Sequence, residues 1–426
     1  MISNIKVCIV SSGDFFSDYG GGQVYVRNIV DELILHNEIT INVISFNRSL
    51  QHSVKEYNGI IVHQVNDEAT LQNALKTIKP DIVHANGEKL LTSLICKQLN
   101  IPCIVTAHHG GLVCPAGTLL NTDDKICSIP ADYSHCLKCY LQNTRTGLFW
   151  YPLLKRYSQQ RYNRIGKRLK HLPFIPFLSP IGETGLIVSE KLKEWQELCE
   201  TATHFIAPSN AIAEALKRNG CPESKITVIP HGIKRTENGE WRTEINNHST
   251  IKFYYAGRIN YVKGIHILLK AFSSIEKSNI ELHLIGGASS KAEIRYMNRL
   301  KKKYKRDTRI IWHGKLPFEQ MNDAIKTYDC LIHPAIYLEV FGLNISEALA
   351  QHKYVIATRC GGAEMQIHNE NEGLLITPNN DEVLKKAIIN FIANPKESSA
   401  SIIDIEHHVQ ELLRLYITVS KICLSK

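Results

Sequence analysis

The sequence predicts an α/β protein built as two doubly wound domains, each on a parallel sheet, and three observations predict it. Its 426 residues exceed what one ordinary hydrophobic core organises and suit about two domains of roughly 150 to 200 residues each. Short runs rich in Val and Ile recur that are apolar on both faces, as strands covered on both sides must be. Helical patterns alternate with those runs, which is the rhythm of strand, crossover helix, parallel strand.

In the first domain the expected strands are Ile5 to Val10, Ile41 to Phe46, Ile60 to His63, Asp81 to His84, Pro102 to Thr106, His204 to Ala207 and Ile226 to Ile229. A polar stretch from Lys234 to Thr250 reads as a hinge or exposed connection. The rhythm then resumes with Ile251 to Ala256, Ile280 to Ile285, Arg309 to Trp312, Asp329 to His333, Lys353 to Ala357 and Leu374 to Thr377. Helical patterns at Ile265 to Ile275, Ser346 to Gln351 and Glu382 to Ile392 lie between them, and a last helix is expected from Ile402 to Ile422. The domains are therefore expected at 1–235 and 251–400, followed by the terminal helix within 401–426.

Composition narrows the function classes. With 44% hydrophobic and 21% charged residues and no apolar run of bilayer length, a membrane-spanning protein is not expected. Met1 to Val10 lacks the charged region, apolar core and cleavage site of a secretory signal, so the expected compartment is cytoplasmic. The net charge of +9 suits anionic partners such as phosphates or an acidic membrane face, and with no zinc-finger, RRM or KH pattern a nucleic acid is not expected.

In open α/β sheets ligands lie beyond the carboxyl ends of the strands, so chemistry is sought where strands end and helices begin. Gly257-Arg258 followed by Lys263-Gly264 stands at such a place, with glycine for close backbone approach, free helix-start N–H groups and two cations for a diphosphate. A solvated basic loop is the plainer reading of either cation alone. Glu339-Val340-Phe341-Gly342-Leu343-Asn344-Ile345-Ser346-Glu347 follows another expected strand and places two glutamates across a helix start, Glu339 in a loop and Glu347 in the first turn. Asn344 and Glu347 also fit a capping box, which needs no ligand.

These segments resemble the retaining family 4 glycosyltransferases of the GT-B fold (glycosyl transferases group 1), and the resemblance spans nearly the whole chain. Glu339 and Glu347 match that family's E-x7-E signature with Phe-Gly-Leu between them, and Ala256-Gly257-Arg258 with Lys263-Gly264 match its donor-phosphate segment. Ala207-Pro208-Ser209, Val228-Ile229-Pro230-His231-Gly232, Leu284-Ile285-Gly286, Val355-Ile356-Ala357-Thr358 with Gly361-Gly362-Ala363-Glu364, and Gly373-Leu374-Leu375 follow in the family's order. The resemblance implies two Rossmann-like domains facing across a cleft, and a last helix that packs back on the first domain and couples closure of the two.

It also implies roles. Arg258 and Lys263 would hold the donor diphosphate, Glu339 would contact the transferred sugar, and Glu347 would bind ribose hydroxyls. Backbone N–H groups at Gly342, Leu343 and Asn344 would face the distal phosphate, so a helix start and two cations stand in for a divalent metal and no cofactor is required for catalysis. Gly20-Gly21-Gly22-Gln23, ahead of a helix expected from Tyr25, would close over the donor phosphate and acceptor, with Gly21 and Gly22 the donor-binding positions. His108, in the segment Thr106-Ala107-His108-His109 that ends another expected strand, would touch the sugar. The implied activity is a retaining, hexosyltransferase-type transfer from a UDP- or GDP-sugar to a glycan or lipid-linked acceptor. A nucleotide-sugar epimerase of the same fold, which lacks E-x7-E, and an inactive nucleotide-sugar-binding partner subunit are the alternatives.

Two further features remain. Among 12 cysteines, Cys114, Cys127, Cys136 and Cys139 form C-x12-C-x8-C-x2-C, able in principle to hold a structural zinc or to pack as reduced thiols. The segment 108–140 that carries them resembles an insertion in a bacterial polysaccharide-type subset, which implies capsule- or O-antigen-like assembly. Between Leu148 and Leu172, Phe149-Trp150-Tyr151 precede Lys155, Arg156, Arg161, Arg164, Lys167, Arg168 and Lys170, a composition that fits either peripheral contact with an anionic membrane or a solvated helix face.

Overall fold

The computed structural model describes residues 5–17, 21–49, 51–142, 151–152, 156, 159–170, 179–234 and 250–424. The chain divides into two compact units, one of Met1–Ile229 with Val409–Lys426 and one of Pro230–His408. The expected connection from Lys234 to Thr250 lies almost wholly outside the described residues.

The first unit is an eight-stranded sheet. Its strands are β1 (Ile5–Ser12), β2 (Ile39–Phe46), β3 (Ser53–Tyr57), β4 (Ile60–Val65), β5 (Ile82–Ala85), β6 (Cys103–Thr106), β7 (His204–Ala207) and β8 (Ile226–Val228), in the spatial order β3-β4-β2-β1-β5-β6-β7-β8. All neighbours are parallel except β3 with β4. The central strands bury Val7, Ile9, Ile44, Val83, Ile104 and Phe205 completely, as apolar faces on both sides demand. The strand β3 was not among the expected ones. It is an antiparallel edge whose Val54 is exposed and whose Lys55 and Glu56 face solvent, so no apolar run marks it.

Its helices are α1 (Gly21–Leu33), α2 (Glu68–Ile78), α3 (Lys89–Gln98), α4 (Tyr133–Gln142), α5 (Gln159–Lys170), α6 (Ser179–Thr201) and α7 (Asn210–Arg218). The 23-residue α6 carries Pro180, Gly182 and Gly185 near its start, which read as breakers in sequence. Burial of Val188, Trp195 and Leu198 outweighs that local preference, and the Trp195 indole donates to the carbonyl of Asn219 at 2.7 Å.

The second unit is a six-stranded, all-parallel sheet. It contains β9 (Ile251–Ala256), β10 (Ile280–Ile285), β11 (Ile310–Gly314), β12 (Cys330–His333), β13 (Tyr354–Thr358) and β14 (Leu374–Ile376), ordered β11-β10-β9-β12-β13-β14. Its helices are α8 (Ile265–Ser273), α9 (Lys291–Lys303), α10 (Phe318–Lys326), α11 (Leu343–Leu349), α12 (Asp381–Ala393) and the start of α13 (Ile405–Leu424). The strand order reverses at β9 and β12, and their carboxyl ends are where a doubly wound sheet places its ligand. From Val409 onward α13 belongs to the first unit, where the Tyr416 hydroxyl meets Nδ1 of the buried His84 at 2.7 Å.

Candidate functional site

In the second unit the chain leaves β9 through Gly257, whose φ of 149° only glycine adopts readily, and enters a short turn, Tyr261–Lys263. The Asn260 side chain caps that turn by accepting from the Lys263 N–H at 3.2 Å. Gly264 follows with φ 72°, and a Cβ there would lie 1.8 Å from the Pro334 carbonyl oxygen. Only glycine lets the turn pass this close to the end of β12, and the turn aims the Lys263 ammonium at that end.

Lys263 Nζ lies 2.5 Å from Glu339 Oε2, both side chains being largely buried. Behind them His333 Nε2 stands 3.5 Å from the same oxygen. Asn344 Nδ2 donates to the Ala256 carbonyl at 2.9 Å and lies 3.2 Å from His333 Nδ1, so that Nδ1 accepts and the His333 proton sits on Nε2, toward Glu339. Burial opposes ionisation of Glu339, but Lys263 and His333 outweigh it and hold the carboxyl well below its usual range. Glu339 itself is fixed by its backbone: its N–H donates to Cys360 and its carbonyl accepts from Gly362.

The helix α11 opens at Gly342, φ 84°, with no side-chain cap. The capping-box reading of Asn344 with Glu347 is thereby replaced: the helix begins at Leu343, and the Asn344 amide reaches across to β9 instead. A helix start of this kind leaves its first amides without a side-chain acceptor, while Gln366 holds the loop from behind by donating to the Phe341 carbonyl at 2.6 Å. Glu347 lies one turn along α11, partly buried and with no ion pair among the described residues, and desolvation pushes its carboxyl up to about 7. Arg258 is exposed beside the turn, close enough to act electrostatically on Tyr337 and Glu293. The structure thus gathers Gly257, Lys263, Glu339, Gly342, Leu343 and Asn344 around the ends of β9 and β12. His333 and Tyr337 join them without having been singled out in sequence, although His333 is the last residue of an expected strand.

In the first unit His108 Nε2 meets Asn86 Oδ1 at 2.6 Å, and its ring packs edge-on against Tyr25 at 5.0 Å between centroids. Gly21 and Gly22 are the first turn of α1 rather than a loop before it, and a Cβ on Gly22 would meet nothing within 4 Å. Just after β1 it is Gly13, at φ 84°, whose backbone calls for glycine. Gly20 lies outside the described residues.

The thiols of Cys114, Cys127, Cys136 and Cys139 neighbour one another closely enough for burial and Cys114 to raise Cys136 and Cys139. As placed they do not form a ligand set: among the described residues no three His, Cys, Asp or Glu side chains could hold a metal ion. Most of the basic, aromatic segment 148–172 lies outside the described residues, while in α5 Arg161, Arg164 and Lys167 are exposed. Among the described residues no helix is long and apolar enough to cross a membrane.

Comparison with known proteins bears on these two units. Residues 238–406 match the family model of glycosyl transferases group 1, and residues 184–237 that of glycosyltransferase family 4. An uncharacterized glycosyltransferase of Methanocaldococcus jannaschii is 26% identical over 239 residues, 51% of this chain and 60% of that protein. The lipopolysaccharide 1,2-N-acetylglucosaminetransferase of Salmonella typhimurium is 31% identical over 179 residues, 39% of this chain and 46% of that protein. The match thus spans about half the length of these curated relatives. The crystal structure of Anabaena HepE in complex with UDP and glucose superposes with a TM-score of 0.61 at 15% identity, covering 99% of both chains. The chain has the GT-B glycosyltransferase fold and carries a glycosyl transferases group 1 domain at residues 238–406.

Proposed function

We propose that this chain is a retaining, metal-independent hexosyltransferase that takes a sugar from a UDP- or GDP-sugar and passes it to a glycan or lipid-linked acceptor in cell-surface polysaccharide assembly. The observation that carries the reading is the buried Lys263–Glu339 pair set against the uncapped start of α11. A lysine and open helix amides suit a diphosphate, and the carboxylate held ionised beside them suits sugar hydroxyls at the reacting carbon. In the chemistry that fits this site, the bond from the sugar's anomeric carbon to the diphosphate breaks. The acceptor hydroxyl then bonds to that carbon on the same face and its proton passes to the departing phosphate. Lys263 and Arg258 would stabilise the charge that grows on the leaving group, the role a divalent ion fills elsewhere, and Glu347 would accept from the ribose hydroxyls. The N-acetylglucosaminetransferase named above and the UDP and glucose bound by HepE support the donor class and the setting.

Calorimetric titration with UDP and GDP tests the donor site. Lys263→Ala is expected to weaken the preferred nucleotide by about 1.5 to 3 kcal/mol, roughly ten- to a hundredfold. The variant leaves the buried Glu339 carboxyl beside His333 and Tyr337 without its lysine, so its folding is checked by thermal melt. Unchanged affinity in a folded variant removes Lys263 from the site. Structural zinc on the four cysteine thiols belongs to the same reading and requires them to draw together. Elemental analysis of protein purified without chelator tests it, and a metal-free result removes it. Contact of segment 148–172 with an anionic membrane is likewise tested by co-sedimentation with phosphatidylglycerol vesicles.

A further inference from the structure

The turn between β5 and α3 in the first unit brings together a lysine ammonium, a helix start and a buried amide donor, with Glu88 as the neighbouring carboxylate. Lys89 occupies the first position of α3, where a cation faces the positive end of the helix dipole and is disfavoured. Its ammonium donates to the Asn86 carbonyl at 3.0 Å and forms no ion pair among the described residues, which satisfies one of its three N–H groups. Glu88 is adjacent in sequence, but its backbone lies in the left-handed region, φ 40° and ψ 47°, and its side chain does not cap the helix. A left-handed residue followed by a helical one turns successive N–H groups to the same side; that of Glu88 donates to Ser12 Oγ at 3.2 Å, and those that follow open α3. The ten-residue α3 thus opens with uncapped amides beneath a lysine.

A second observation is independent of the helix. Asn86 is 7% exposed, and its Oδ1 is taken by His108 Nε2 at 2.6 Å, while its Nδ2 has no hydrogen-bond partner. A buried amide donor left unpaired costs about 1 to 3 kcal/mol, so its retention in the turn that also holds the Lys89 ammonium calls for an acceptor. Lys191 adds positive charge: it and Lys89 both act on His109, adding to burial in lowering its pKa, while Glu88 is the carboxylate that acts on Lys89.

We propose that Lys89, the Asn86 Nδ2 and the first amides of α3 form an anion subsite that holds a phosphate or carboxylate group of the acceptor. The acceptor assignment rests on the proposed transferase function. The subsite itself does not, since it lies on different residues from the donor-phosphate cluster at Lys263. An acidic acceptor anchored here, beside His108, would be a sugar phosphate, a lipid-linked sugar phosphate or a uronate-bearing glycan. Burial pushes the Lys89 amine down to about 8, with Glu88 opposing, so the ammonium is present below that value and anion affinity should fall as pH rises through it. Glu88, His109 and Lys191 are the other titratable groups that act at this turn.

The test is calorimetric titration of the full chain with inorganic phosphate and, separately, acetate at pH 7. Wild type, Lys89→Met, Lys89→Arg and Lys263→Ala are compared, and UDP affinity is measured on each. The expected result is an anion site that persists in Lys263→Ala and in UDP-saturated wild type. It weakens at least tenfold in Lys89→Met and returns in Lys89→Arg, with UDP affinity unchanged in both Lys89 variants. The tighter of the two probes then assigns a phosphoryl or a carboxylate acceptor. Anion binding that is absent from wild type, unaffected by Lys89→Met, or lost only with Lys263→Ala overturns the subsite. Failure of UDP to bind while the Lys89-dependent site remains would instead count against the transferase reading alone.

Discussion

Glu339 and Glu347 belong to one nine-residue segment and are shifted in opposite senses, because burial of one is outweighed by the Lys263 ammonium and the His333 N–H, while the other has only burial. Glu347 carries a testable consequence. Its folded carboxyl sits at about 7 against an unfolded value of about 4.3, so on raising pH the unfolded chain loses that proton first. Its contribution to stability is therefore full below about 4.3 and is lost as pH rises to about 7, after which it stays lost. Glu347→Gln should match wild type near pH 4 and exceed it by about 1 to 3 kcal/mol above pH 7, while weakening nucleotide binding. Thermal melts across that range check it. A constant gap at every pH would mean that desolvation of Glu347 is not the cause.

At the scale of the element, the strand-to-helix turns decide what backbone the site needs. Gly264→Ala puts a methyl 1.8 Å from the Pro334 carbonyl at a φ of 72°, so the turn that aims Lys263 must shift. A loss of about 2 to 4 kcal/mol and weaker nucleotide binding are expected, read by chemical denaturation and calorimetry. Gly22→Ala is the contrast: it lies in α1 with open space around it, and a gain of about 0.5 to 1 kcal/mol is expected. Wild-type stability in Gly264→Ala would show that the close approach is not required. The same contrast explains what was legible in sequence. Strands such as β7, β9 and β10 were readable to the residue because their apolar runs are uninterrupted, and the residues gathered at the ends of β9 and β12 were readable because they sit in short local motifs. The start of α1, the edge strand β3, the breaker-rich start of α6 and the Asn344 bond to β9 were not, since tertiary contacts override the local pattern there. Asn86 acts through His108, 22 residues away, and His333 through Glu339 and Asn344, pairings that no spacing rule reveals.

For the whole molecule, the chain leaves the first unit at Ile229 and returns to it at Val409, so the two units differ in how their stability depends on the C-terminal helix. From Val409 onward α13 buries Val409, Leu412, Leu413, Leu415, Tyr416 and Val419. At about 1.5 to 3 kcal/mol for each large apolar side chain, their loss matches the whole stability of an ordinary domain. It would also strip the Tyr416 hydroxyl from His84, whose other nitrogen holds Thr106 at the end of β6 at 2.6 Å, two residues before His108. Pro230–His408 forms the second unit without those residues. A chain ended after His408 should therefore lose the protease resistance of residues 1–229 and the anion site at Lys89, while keeping UDP binding through Lys263 and Glu339. Limited proteolysis with calorimetry reads both. Protection of the first unit in the shortened chain would show that α13 is dispensable to it, and loss of UDP binding along with it would show that the donor site depends on more than its own unit.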